Sequence, residues 1–103
     1  MEVVFHAHHA VISDRLQERA TRALRRLAQR FERAVTATVR FHQDGPTRRV
    51  EICVNSAGQA DLVAHGTSRY YGPALKVALA HLESQVTRVR RVPKQKWSRL
   101  ARA

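Results

Sequence analysis

Residues 35–67 read VTATVRFHQDGPTRRVEICVNSAGQADLVAHGT, and their alternation decides the fold. Val35, Ala37, Val39 and Phe41 point one way, while Thr36, Thr38, Arg40 and His42 point the other. Such a period of two marks a strand with one face against a core and one in water. Gln43-Asp44-Gly45-Pro46 breaks the pattern as a turn. A second alternating strand over residues 48–55 places Val50, Ile52 and Val54 inward, and Ser56-Ala57-Gly58 closes a second hairpin. Residues 62–67 form a third strand, in which Gly66 marks a bulge or an edge. A three-stranded meander with one apolar face needs a cover.

The flanking sequence supplies it. Upstream, Leu16, Ala20, Ala23, Leu24, Leu27 and Phe31 fall on one face at about 100° per residue, which predicts a helix ending near Arg33. Ser13 or Asp14 can cap it, and Asp14-x-x-Gln17 has capping-box spacing. Before that helix, residues 2–7 form a short strand with Val3, Phe5 and Ala7 on one side. Downstream, Tyr70-Tyr71-Gly72-Pro73 opens a second helix whose apolar stripe is Leu75, Ala78, Leu79, Leu82, Val86 and Val89. Pro73 suits a first helical turn, and Pro93 stops the helix. The order is β-α-β-β-β-α. The expected architecture is an α+β four-stranded sheet with two helices packed on one face. Strand 1, which returns through a helix, is expected to run parallel to a neighbour. Residues 1–92 make the domain, and residues 93–103 are expected to be a mobile basic tail carrying Trp97.

The chain has 103 residues, enough for one domain with a real core. Its 44% apolar content, arranged in periodic runs, argues against disorder. No apolar run approaches the roughly 18 residues of a membrane span. One cysteine, Cys53, excludes a disulfide scaffold, and residues 1–10 lack the pattern of a secretory leader, so a reducing cytoplasm is expected. What remains unusual is charge. Lys and Arg number 19 against 8 Asp and Glu, a net +11. Self-repulsion of this size points to a polyanionic partner.

The first helix locates much of that charge. Arg15, Arg19, Arg22, Arg26, Arg30 and Arg33 are spaced 4, 3, 4, 4 and 3 apart. They lie within an arc of about 80°, along a ridge about 27 Å long. A plain solvated face would mix signs. Here Arg repeats against Arg, which costs a few tenths of a kcal/mol per pair unless bound phosphates compensate. Lys76, Arg88, Arg90, Arg91 and Lys94 add a basic end on and beyond the second helix, and helices lying side by side would join both sets into one basic platform. Arginine suits bidentate binding to phosphate. Few aromatic residues accompany it, which favours backbone and shape recognition over base stacking.

Other candidates weigh less. His6 and His8 share a strand face, a geometry that can hold zinc, but no Cys or carboxylate is placed to complete a site, and surface or RNA-contacting histidines are the plainer reading. Cys53 lies between Ile52 and Val54 and so faces the other side of the sheet, with no base to activate it. Tyr70 and Tyr71 are either a core plug or base contacts. There is no paired-carboxylate pattern and no Gly-rich phosphate loop, so neither a catalytic residue nor a cofactor is expected.

Several motifs in order resemble the ribosome hibernation-promoting factor family, also called ribosome-associated translation inhibitors or sigma-54 modulation proteins. They are His8-His9-Ala10-Val11-Ile12-Ser13-Asp14, Leu24…Leu27…Phe31-Glu32, Leu62-Val63-Ala64-His65-Gly66, Ala74-Leu75 and Leu82-Glu83-Ser84-Gln85-Val86, within residues 1–92. The resemblance implies the same β-α-β-β-β-α order. It implies binding to ribosomal RNA of the small subunit in the messenger channel, over the A and P tRNA sites, which silences translation under stress or in stationary phase. By position it assigns RNA contacts to Arg22, Arg26 and Arg30 on the first helix and to Arg88, Arg90 and Arg91 on the second. The chain departs from the family pattern at residues 70–73, and at Lys76, His81 and Ser84, where the family usually has an acid, a lysine and a basic residue. It lacks the C-terminal dimerisation domain of long members, and a monomer is expected when free. The alternative from another class is a general RNA- or DNA-binding module that reads the phosphate backbone. No membrane or small-molecule substrate is expected.

Overall fold

The computed structural model describes residues 1–31, 34–58 and 60–91, with side chains up to residue 88. The elements are β1 (Glu2–His8), α1 (Asp14–Arg30), β2 (Ala34–Asp44), β3 (Thr47–Ser56), β4 (Leu62–Ser68) and α2 (Tyr71–Arg91). They form one sheet in the order β1-β2-β3-β4. β1 runs parallel to β2, and the meander β2-β3-β4 is antiparallel. Both helices cover the same face. Ala20 and Leu24 of α1, and Ala74, Leu75, Ala78, Leu82 and Val86 of α2, share one core with Ala37, Val39, Phe41, Val50, Ile52, Val54, Leu62 and Ala64. Phe41 is its centre: Phe5 lies parallel to it at 6.3 Å and Tyr71 meets it edge-on at 5.5 Å.

The alternation of β2 holds except at its start, where Val35 is 54% exposed rather than inward. Ala34 pairs with Ser56 and Thr36 with Asn55, so β2 spends two residues where β3 spends one, and Val35 is the extra residue of that bulge. The first turn is tighter than the four-residue break suggests. Strand pairing runs to Asp44 and Thr47, leaving Gly45 (φ 61°) and Pro46 as a two-residue hairpin with glycine first.

Gly66 marks no bulge. Its strand, β4, is an edge of the sheet, and its register is regular through the pair Val50–Gly66. The reason for glycine is α2 above it: a Cβ at this position would lie 2.3 Å from the Ala74 carbonyl oxygen and 2.7 Å from the Ala78 nitrogen. α2 also covers the outer edge of β4. Gln85 Nε2 donates to the Val63 carbonyl at 2.7 Å, and His81 Nδ1 lies 3.0 Å from the His65 carbonyl. A carbonyl only accepts, so the His81 ring carries its proton on Nδ1 in that contact. Pairing these outward carbonyls blunts the edge against strand addition. His81 therefore has a structural task.

α1 begins at Ser13, whose hydroxyl accepts from the Leu16 N–H at 3.2 Å. The capping box does not close, because Gln17 donates to the Ile12 carbonyl instead. The helix ends at Arg30 rather than near Arg33: Phe31 leaves helical geometry (φ −134°, ψ 83°) and turns its ring into the core at 6% exposure. Pro93 and the tail lie outside the described residues.

Candidate nucleic-acid interface

The Ser13 cap and the apolar stripe together fix which way the arginines of α1 point. Leu16, Ala20, Leu24 and Phe31 are drawn into or against the core. The adjacent arc carrying Arg15, Arg19, Arg22, Arg26 and Arg30 is thereby left in solvent. Among the described residues, none of Arg15, Arg19, Arg22 and Arg26 has an acidic partner within 4.0 Å. The ridge borders α2. The Arg19 guanidinium sits at the start of α2, 3.6 Å from where a Cβ on Gly72 would be. Arg26 and Arg30 line a groove between the helices with Ala23, Leu27, Leu79 and Glu83.

Arg30 differs from the others because it is already engaged. Its Nη1 meets Glu83 Oε1 at 3.0 Å and its Nη2 donates to Thr87 Oγ1 at 3.0 Å, tying α1 to α2. The basic platform therefore contains an acid at its seam. Both partners are well exposed, and exposed pairs of this kind contribute only about 0–1 kcal/mol. Glu83→Gln is expected to leave the urea unfolding free energy within about 1 kcal/mol of wild type. The same change is expected to tighten RNA binding, because Glu83 is the one acid lining the groove among the described residues. Paired urea titrations and RNA affinities check both expectations.

The cations of α2 do not all join this surface. Lys76 is exposed and lies two turns before Glu83, on the flank toward α1. Arg88 lies two turns after His81 and so projects along the β4 flank, away from the ridge. Arg90 and Arg91 occupy the last turn of α2 with side chains outside the described residues, and Arg33 and Lys94 fall outside them altogether. Spacing alone also passes over Arg25, which is exposed about 100° around α1 from Arg26. With 16 arginines in the chain, only its angular position separates it from the ridge.

The tyrosine pair divides. Tyr71 is the plug, half-buried against Phe41, with the Arg48 guanidinium 5.8 Å from its ring centre. Burial pushes its phenol above 10, and Arg48 partly opposes this. Tyr70 is 71% exposed and plugs nothing. Cys53 faces the open side of the sheet as expected. Burial first, then Asp61, raises its thiol above 9.0, so it stays protonated and weakly nucleophilic near neutrality.

The open face of the sheet gathers the histidines. The β1–β2 register sets His6 beside Arg40 and His8 beside His42, and these four side chains line a shallow recess. The His8 ring lies 4.3 Å from His9 and 6.0 Å from His42, while His65 is three strands away from it on β4, beside Glu51. Among the described residues, no group of three or more His, Cys, Asp or Glu side chains is placed to hold a metal ion. No described helix is long and apolar enough to cross a membrane.

The family whose pattern matches is described as Sigma 54 modulation protein / S30EA ribosomal protein, over residues 3–92. No curated protein matches the chain. Among solved structures, a ribosomal subunit interface protein from Coxiella burnetii superposes with a TM-score of 0.81 at 18% identity, covering 89% of this chain and 100% of its own. The N-terminal domain of Thermus thermophilus Protein Y superposes with a TM-score of 0.73 at 23% identity, covering 86% of this chain and 99% of its own. At these identities the two structures carry the fold.

Proposed function

The chain belongs to the Sigma 54 modulation protein / S30EA ribosomal protein family, a ribosome-associated family, and on that premise we propose that it binds ribosomal RNA of the small subunit and blocks translation sterically. The observation that carries this reading is the α1 ridge, where four exposed arginines follow one another without an acidic partner among the described residues. Guanidinium groups presented along one helix face can each bind a backbone phosphate two-pronged. Arg15, Arg19, Arg22 and Arg26 are the leading contacts, with Arg30 held partly by Glu83 and Lys76 contributing from α2. Arg88, on the β4 flank, is a candidate contact separate from the ridge, and Arg33, Arg90, Arg91 and Lys94 are proposed as further contacts from their place in the sequence.

The domain acts as a plug in the channel through which messenger and tRNA pass, and no bond is made or broken. Order of addition tests this. Incubating small subunits with the protein before adding messenger is expected to suppress initiation in a cell-free system. Adding it after elongating ribosomes have filled the channel is expected to have much less effect. Equal synthesis with and without preincubation would overturn the reading.

A further inference from the structure

The recess of His6, His8, Arg40 and His42 lies on the face of the sheet opposite both helices, so the α1 ridge cannot reach the same phosphate group. We infer that this recess is a second RNA contact that grips a backbone phosphodiester on the other side of the domain, and that its hold strengthens as the histidines gain protons. The inference rests on the ribosomal reading: a domain that fills a channel meets walls on two sides.

Placement and donor chemistry suit such a ligand. Parallel neighbours stand about 4.8 Å apart and alternate residues of a strand about 6.6 Å apart. The two cross-strand pairs therefore bring four side chains together on neighbouring positions of the open face. Imidazolium offers two N–H donors and Arg40 a fork of five. None of the four lining residues is an acid.

The surrounding charges decide when the recess is cationic. Glu51 on β3, beside Arg40, takes Arg40 Nη1 at 3.4 Å and Arg49 Nη2 at 3.6 Å. Asp44 follows His42 on the same face of β2, His65 stands beyond Glu51 on β4, and His9 leans on His8 from the loop. With one carboxylate shared between two arginines, the fixed charge near the recess is small. Attraction for phosphate then depends on the imidazoles, the side chains that change charge in the physiological range. Each proton taken up on binding tightens the complex by up to about tenfold per pH unit.

The test measures affinity of the full chain for purified small ribosomal subunits at pH 8.0 and pH 6.0 and constant salt. Wild type is expected to bind at least tenfold tighter at pH 6.0. The variant H6Q/H8Q/H42Q is expected to lose most of that gain, read as the ratio of its own affinities at the two pH values. H65Q, outside the recess, is expected to keep the gain. R22Q/R26Q is expected to bind more weakly at both pH values and to keep the same ratio between them. His6 and His8 are exposed and His42 is half-buried, and equal melting temperatures at pH 8.0 establish that the triple variant is folded. A triple variant with the full wild-type gain, or a wild type without any gain, overturns the second contact and leaves the ridge reading intact. Absence of wild-type binding at both pH values overturns the ribosomal reading and the recess with it.

Discussion

Arg22→Gln combined with Arg26→Gln is expected to weaken binding to small ribosomal subunits by about 10²-fold at moderate salt while slightly raising the melting temperature. The two effects have one cause. On the free protein, Arg19, Arg22, Arg26 and Arg30 repel one another along α1, and each such pair at helical spacing costs a few tenths of a kcal/mol. Removing two charges relieves that strain. On the complex, the same two charges neutralise phosphates and release counterions. Each lost contact lowers the magnitude of the slope of log K against log salt by about 0.7–0.9. The double variant should therefore show a slope shallower by about 1.4–1.8. Salt-dependent affinity together with a thermal melt checks the pair. If both affinity and stability fell, the arginines would be structural. If neither changed, the ridge would be a solvated face.

Gly66→Ala is expected to be the most damaging single methyl in the domain. Its Cβ would stand 2.3 Å from the Ala74 carbonyl oxygen, 2.7 Å from the Ala78 nitrogen and 2.9 Å from Val77 Cβ. The first two are backbone atoms of α2, so the helix itself must move. That shift also pulls on the Gln85–Val63 and His81–His65 contacts that hold α2 to the edge of β4. Overpacking of this kind costs about 3 kcal/mol or more, a large share of the roughly 5–15 kcal/mol that holds a small domain together. A melting temperature lower by on the order of 15 °C follows for a chain of this size. Gly45→Ala is the control. It has open space around it but a φ of 61°, so only the conformational penalty of about 1 kcal/mol applies. Urea titration of both variants distinguishes close approach from backbone conformation. Similar losses at the two positions would contradict the packing account.

The elements that residue pattern made legible are those in which one face alone decides burial. Ala37, Val39 and Phe41 on β2, Val50, Ile52 and Val54 on β3, Leu16, Ala20, Leu24, Leu27 and Phe31 at α1, and Leu75, Ala78, Leu79, Leu82 and Val86 on α2 lie in or against the core, where their periods place them. Other features depend on partners distant in the chain. Val35 is turned out by a bulge that only the pairing with β3 reveals. The task of Gly66 is visible only once α2 is laid across it. Within the candidate site, the periodicity of α1 set Arg15, Arg19, Arg22, Arg26 and Arg30 on one exposed arc, while Arg33, expected to continue it, lies outside the described residues. The platform this arc was expected to share with α2 is interrupted, because Glu83 comes to the seam and Arg88 turns toward β4. Angular position within one helix can be counted from sequence, whereas the rotation of one helix relative to another is set by the core between them. The histidine recess illustrates the same limit. His6 and His8 share a face by alternation, but Arg40 and His42 join them only through the parallel register of β1 with β2.

Binding to small ribosomal subunits across a salt series, with arbitrary duplex RNA as competitor, tests the central claim most directly. Tight association at low salt is expected, with log K falling linearly and steeply in log salt, and intact subunits should be preferred over duplex RNA at every salt concentration. No association at low salt, or equal affinity for subunits and arbitrary duplex, would contradict it.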